Sequence, residues 1–204
     1  MKKDYFGLVD VPEFKPEVPV AALGEYRKDK GEDEFSRKQV WFYVYGDEDI
    51  EEEFVGDLID LVNSRFVDDE INWDLMTLYP THAKGEVNPN MKSMLESIEN
   101  KTGIQYKQVL DRTQQTKENH ELESQRAKAV NVEGSIDVKD FDGKNVILVD
   151  NISLSGTSLA HGASKLKEAG AENVFGVVLG LSQDFPGKES KNRNKPASTL
   201  MEED

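Results

Sequence analysis

The run Asn145-Val146-Ile147-Leu148-Val149-Asp150 constrains the fold of this chain more than any other stretch. Four consecutive aliphatic residues between polar ends leave no polar face, so a strand built from them must be covered on both sides. Strands of that kind belong to parallel sheets, where crossover helices lie against the two faces. Directly after Asp150 the chain runs through Asn151-Ile152-Ser153-Leu154-Ser155-Gly156-Thr157-Ser158 and enters a helical pattern, with Leu159, Ala163 and Leu166 inward and Gly170 at the stop position. The result is a strand–turn–helix unit with an acid at the strand's carboxyl end and a hydroxyl-rich turn at the helix start.

Similar alternation occupies the centre of the chain. Residues 39–45, a β-branched and aromatic run ending at Gly46, predict a strand. A helix follows, with Phe54, Leu58, Ile59, Leu61 and Val62 on one stripe, Asp47 or Asp49 as its cap, and Glu51, Glu52 and Glu53 near its positive end. Residues 72–80 predict a second strand, broken by Pro80. Met91, Met94, Leu95 and Ile98 mark another helix that stops near Gly103, and residues 104–110 a short third strand. Residues 132–138 fit an edge strand and residues 173–181 one more buried strand. The expected fold class is therefore α/β, a mainly parallel twisted sheet flanked by helices on both faces. The expected domain spans residues 39–182. Before it, residues 1–38, with Pro12, Pro16 and Pro19, predict an irregular arm holding at most one short element near residues 18–26. After it, residues 183–204, polar and containing Pro186 and Pro196, predict a disordered tail.

Composition narrows the function classes. A net charge of -15 disfavours direct binding to nucleic-acid backbones. The absence of cysteine excludes disulfides, thiolate metal sites and a cysteine nucleophile. No apolar stretch approaches the ~20 residues a membrane helix needs. The N-terminus lacks a secretory pattern, and the expectation is a cytoplasmic protein without membrane contact. No His or carboxylate grouping has transition-metal spacing, so no protein-held metal is expected.

The turn after Asp150 carries most of the chemical information. The first N–H groups of a helix have no intrahelical acceptor and sit at its positive dipole end, which attracts anions. Ser153, Ser155, Thr157 and Ser158 add hydroxyls, and Gly156 allows a phosphate close to the backbone. Asp150 and Asn151 stand where they accept hydrogen bonds from sugar hydroxyls. An ordinary helix capped by Ser155 is the alternative, although a cap alone does not account for four hydroxyl residues in this span or for the Asp-Asn pair.

This segment resembles the phosphoribosyl-pyrophosphate (PRPP) loop of type I phosphoribosyltransferases, in which an aliphatic strand leads to two acids and a hydroxyl-rich turn with glycine. The resemblance implies that Asp150 and Asn151 serve as the catalytic, ribose-holding pair. It implies that Ser153, Leu154, Ser155, Gly156, Thr157 and Ser158 cradle the 5′-phosphate. The chain departs from the family pattern at Asn151, where a second acid is usual, and at Leu154, where a hydroxyl is usual. The likeness extends over about residues 73–182. Tyr79-Pro80-Thr81-His82 resembles the lead into the pyrophosphate loop, which assigns Thr81, His82, Ala83 and Lys84 to the diphosphate. A solvated surface turn is the alternative there. Leu110-Asp111-Arg112-Thr113, Asn119-His120-Glu121-Leu122 and Arg126 to Asn131-Val132 resemble the ComF-like branch. In that likeness Arg112 and Arg126 belong to a mobile loop that closes over PRPP; a charged connector is the alternative.

The family likeness implies transfer of phosphoribosyl from PRPP to a nitrogenous base with release of pyrophosphate, and Mg²⁺ carried mainly by the diphosphate. The partner would be a small-molecule phosphoribosyl substrate, with a homodimer left open. A non-catalytic PRPP- or nucleotide-sensing module and a ComF-like accessory protein of DNA uptake are the competing functions. Nothing in the sequence identifies the acceptor base.

Overall fold

The computed structural model describes residues 4–27, 33–66, 71–118, 121–185 and 188–191. The strands are β1 (Asp4–Val11), β2 (Phe14–Tyr26), β3 (Leu75–Leu78), β4 (Gln105–Tyr106), β5 (Leu110–Arg112), β6 (Ile136–Val138), β7 (Asn145–Ser153), β8 (Asn173–Ser182) and β9 (Glu189–Lys191). The helices are α1 (Glu34–Tyr45), α2 (Glu48–Phe66), α3 (Pro89–Thr102), α4 (Gln125–Val132) and α5 (Thr157–Glu168). Seven strands form one sheet in the order β4-β3-β7-β8-β2-β1-β9, and β5 and β6 form a separate antiparallel ribbon.

The five strands from β4 to β2 are mutually parallel, while β1 and β9 add antiparallel pairings at one edge. The aliphatic run of β7 explains its central place. Val146 and Leu148 point into one core with Leu159, Ala163 and Leu166 of α5, whereas Ile147 and Val149 point into the other with α1, α2 and α3. Both faces are therefore covered by helices, as a parallel sheet requires. The fold is a mainly parallel α/β sheet flanked by helices on both faces.

Three sequence expectations need correction. First, residues 39–45 are not a strand but the last half of α1. Asp33 caps this helix by accepting the Ser36 N–H at 2.8 Å, and Gly46 ends it in the left-handed conformation at φ 72°. The β-forming residues there are overridden because Phe42 is the one of them that is fully buried, against Phe54, beside the buried Gln39, while Trp41, Val44 and Tyr45 face outward.

Second, residues 1–38 are not an irregular arm in front of the domain. β1 and β2 are two strands of the main sheet, and β2 lies between β8 and β1. Pro16 and Pro19 hid this strand, yet both precede Val20, where the parallel pairing with β8 begins, so their missing N–H groups interrupt no ladder on that side. Third, the expected tail begins inside the fold. Phe185 is buried, Lys188 reaches the Glu25 carboxylate, and β9 pairs with β1. Residues 186–187 and 192–204 of that tail lie outside the described residues.

Smaller shifts concern the polar middle of the chain. The third strand divides into β4 and β5, and residues 125–132 form α4 before β6 begins at Ile136.

Candidate functional site

The sheet topology fixes where a ligand site is expected. After β3 the chain crosses through α3 to β4 on one side, then returns to place β7 on the other side of β3. Strand order thus reverses between β3 and β7, and in open α/β sheets the crevice beyond the carboxyl ends at such a point is the usual ligand site. A cavity of about 640 Å³ occupies that place. Its walls include Tyr79 and Pro80 from the end of β3, Asp150, Asn151 and Ile152 from β7, Leu154 and Ser158 from the turn, and Arg112 from β5.

Asp150 is half-buried in this crevice, and burial pushes its carboxyl up to about 7. The Asn151 N–H, donated to Asp150 Oδ1 at 2.8 Å, and the charge of Arg112 oppose that rise. The Asn151 side chain folds back in the same way, its Oδ1 accepting the Ile152 N–H at 2.6 Å. An N–H donor fixes that atom as oxygen, so what Asn151 has left to offer a ligand is its amide Nδ2.

The turn that follows holds a second, smaller cavity of about 70 Å³, lined by residues 152–158 and by Lys128 of α4. Ser153 Oγ accepts the Gly156 N–H at 3.2 Å, and the hydroxyls of Ser155 and Thr157 meet at 3.0 Å. Gly156 adopts φ 78°, and a Cβ there would fall 2.5 Å from Val9 Cγ1, so glycine is required on two grounds. The first turn of α5 has no side-chain cap. By contrast Asp33, Asn88 and Ser124 cap α1, α3 and α4. The capping role anticipated for Ser155 is therefore not taken up.

The 81–84 segment is built differently. Thr81 donates its N–H to Glu86 O at 3.0 Å, Ala83 donates to Thr81 Oγ1 at 3.3 Å, and the following Gly85 donates to Arg112 O at 3.0 Å. Two of its four amides, those of Thr81 and Ala83, are thus engaged within the protein. His82 lines the crevice, whereas the exposed Lys84 is not among the residues around it.

Arg112 does not lie in a mobile loop. It is 2% exposed and donates to Thr81 O (2.7 Å), Pro80 O (3.2 Å) and Ser135 Oγ (2.5 Å), with its guanidinium 5.2 Å from the Tyr79 ring centre. It is a fixed part of the crevice floor. Arg126 is exposed on α4 and lines an outer groove with Leu122 and Val130; that groove shares Lys117 with the crevice, but Arg126 is not among the residues lining the crevice. The segment that does cover the crevice is Thr116, Lys117 and Glu118, tied to the 81–84 loop by the Thr116 N–H to His82 O bond (3.0 Å) and a His82–Glu118 pair (3.8 Å). Asn119 and His120 lie outside the described residues.

Sequence reasoning missed three contributors, all through the misread N-terminal region. Tyr26 and Tyr43 line the crevice, and Gln39 holds the Asn151 carbonyl at 2.6 Å. The helical spacing of Phe35, Gln39 and Tyr43 was the available signal. His161 is a buried floor residue. Its Nδ1 lies 3.1 Å from the Tyr79 hydroxyl, and burial lowers its pKa to about 3, keeping the ring neutral.

An open, mainly parallel α/β sheet with a hydroxyl-lined crevice at its switch point is the class to which this chain belongs. No family model matches the chain, and no curated protein does. Two solved structures are similar to part of it. One is the glutamine PRPP amidotransferase from B. subtilis complexed with ADP and GMP, at 18% identity and a TM-score of 0.41, covering 68% of this chain and 30% of that one. The other is described as the allosteric regulatory enzyme of purine biosynthesis, at 18% identity and a TM-score of 0.40, covering 68% and 29%. This chain spans less than a third of the length of either. Among the described residues no helix is long and apolar enough to cross a membrane.

Proposed function

We propose that the chain binds a phosphoribosyl ligand in the β3–β7 crevice and acts as a phosphoribosyltransferase of the type I kind, moving phosphoribosyl from PRPP to a nitrogenous base. The observation that carries this reading is that the crevice holding Asp150 and Asn151 adjoins the smaller cavity at the hydroxyl-rich start of α5, the two sharing Ile152, Leu154 and Ser158 as lining. The 5′-phosphate would sit against the first turn of α5, with Lys128 opposite, where the helix dipole and the N-terminal amides favour an anion. The ribose hydroxyls would face Asp150 and Asn151. Asp150, when ionised, would stabilise positive charge developing at the sugar carbon as pyrophosphate departs.

No group of three His, Asp or Glu among the described residues is placed to hold a metal. In this reading Mg²⁺ would be held through the diphosphate oxygens, whose charge it would neutralise. Asp150, whose Oδ1 already accepts the Asn151 N–H, would be the carboxylate nearest to it.

A binding or sensing module without turnover is the second reading. It is favoured by the 81–84 loop, where the Thr81 and Ala83 amides are already engaged within the protein and Lys84 is not among the residues lining the crevice. Membership of the ComF-like branch belongs with the first reading and rests on the sequence likeness alone.

The test is a titration of the purified protein with PRPP and Mg²⁺, following thermal stability, alongside Asp150→Ala and Ser155→Ala. A ligand that binds only the folded state raises stability by mass action. A rise in the wild type that both variants lose supports the site. Pyrophosphate release with a base present then separates enzyme from sensor, and no rise at millimolar PRPP overturns both readings.

A further inference from the structure

Helix α1 lies across the carboxyl ends of three neighbouring strands. Its residues Phe35, Gln39 and Tyr43, spaced four apart, meet β2, β8 and β7 in turn. Gly24 of β2 pairs with Gly180 of β8, and Gly180 with Ile152 of β7. A Cβ on Gly24 would stand 2.5 Å from the Phe35 ring, and one on Gly180 would stand 2.6 Å from Gln39 Oε1. The two glycines are what let the helix come this close. One turn beyond Gln39, Tyr43 lines the crevice beside Asp150 and Asn151.

Gln39 is fully buried, and its side chain is used in an unequal way. Nε2 donates to the Asn151 main-chain carbonyl at 2.6 Å, while Oε1 is buried with no hydrogen-bond partner among the described residues. A bare buried amide oxygen carries a desolvation cost, and a leucine or methionine would fill the space without it. The donor is therefore the part of Gln39 that matters. By fixing the Asn151 carbonyl it fixes the peptide on which the Asn151 side chain stands, with Oδ1 on the Ile152 N–H and Nδ2 left for a ligand. Next to it, Asp150 presents an acceptor. A donor beside an acceptor is complementary to a vicinal diol, one of whose hydroxyls donates while the other accepts.

We propose that Gln39 is a positioning residue that holds the Asp150–Asn151 pair in register for a ribose diol, so that the crevice discriminates ribose from 2-deoxyribose phosphates. This rests on the phosphoribosyl reading above and adds a selectivity to it.

The experiment measures calorimetric affinities of the full chain for ribose 5-phosphate, 2-deoxyribose 5-phosphate and inorganic phosphate. It uses the wild type, Gln39→Met and, as a variant that keeps the glutamine but crowds it, Gly180→Ala. The wild type is expected to favour ribose 5-phosphate over the deoxy sugar by roughly tenfold, the scale of one well-placed hydrogen bond. Both variants are expected to lose that preference while binding the deoxy sugar and phosphate as before. An equal fall for all three ligands, or an unchanged preference in both variants, overturns the role of Gln39 and leaves the phosphoribosyl reading standing. A wild type that binds neither sugar phosphate overturns the phosphoribosyl reading itself, and this role with it.

Discussion

Arg112 and Thr81 are joined by a 2.7 Å hydrogen bond from the buried guanidinium to the main-chain carbonyl, which welds the β5–β6 ribbon to the loop leaving β3. The same side chain holds Pro80 O and Ser135 Oγ. One cation thus sets the shape of the crevice floor from three directions.

Arg112→Met should lower unfolding stability by roughly 2–4 kcal/mol, because it leaves buried carbonyls without their donors. Arg112→Lys should recover only part of that loss. A single ammonium cannot span the three acceptors that the planar guanidinium reaches. Urea denaturation midpoints of the three proteins check this, and full recovery by lysine would contradict the clamp.

Asp150 should make stability fall as pH rises. Its carboxyl, at about 7 in the folded chain against an ordinary 3.8, holds its proton in the native state where the unfolded chain has already lost it. The associated stability is fully present below about 4 and is lost on the way up to about 7. Asp150→Asn should abolish that decline, a difference of roughly 2–4 kcal/mol by pH 8. Guanidinium titrations of both proteins from pH 4 to 8 provide the measurement.

His161 should act in the opposite sense. Its pKa is lowered from 6.5 to about 3, so the unfolded chain takes up a proton that the native ring refuses. The associated stability is present above about 6.5 and is lost as pH falls toward 3. His161→Phe should remove this dependence and expose the decline due to Asp150. In the wild type the two slopes oppose one another between pH 4 and 6.5, and the pH profile should be flatter than in either variant.

Gly156→Ala should cost roughly 2–4 kcal/mol, from the left-handed backbone and from the collision with Val9. Val9→Ala removes the collision but not the backbone strain. In that background the added cost of Gly156→Ala should drop to about 1–2 kcal/mol. A double-mutant cycle in urea reads the difference directly, and strict additivity would contradict the packing described.

The parts of this fold that were legible in the sequence are those where one signal dominates. The aliphatic run of β7, the Gly103 stop of α3 and the stripe of α5 each admit one solution. The turn at residues 150–158 was legible as a candidate site for the same reason, since its residue types share a single chemistry. Legibility failed where local preference and tertiary packing disagree. The aromatic run of α1 prefers a strand in isolation, and only burial of Phe42 with the caps Asp33 and Gly46 makes it helical. Pro16 and Pro19 argue against a strand unless it is known that β2 meets only β1 at that point. Because Gln39, Tyr43 and Tyr26 lie in that misread region, the wall of the crevice opposite the phosphate turn stayed hidden. The placement of Arg112 was hidden for a different reason. Nothing in a polar, charged stretch distinguishes a floor residue from a solvated one.

The pairing of Val20 with Gly176 has a consequence for how the chain is made. β2 is an interior strand of the finished sheet, and its parallel neighbour β8 is synthesised more than 150 residues later. Until then the β1–β2 hairpin carries an open edge, and the face that α5 covers in the finished fold has no partner. Such distant pairing slows folding and lengthens exposure to wrong partners. A permuted chain in which β1 and β2 follow β9 should therefore refold faster than the natural order, as stopped-flow refolding kinetics of the two would show.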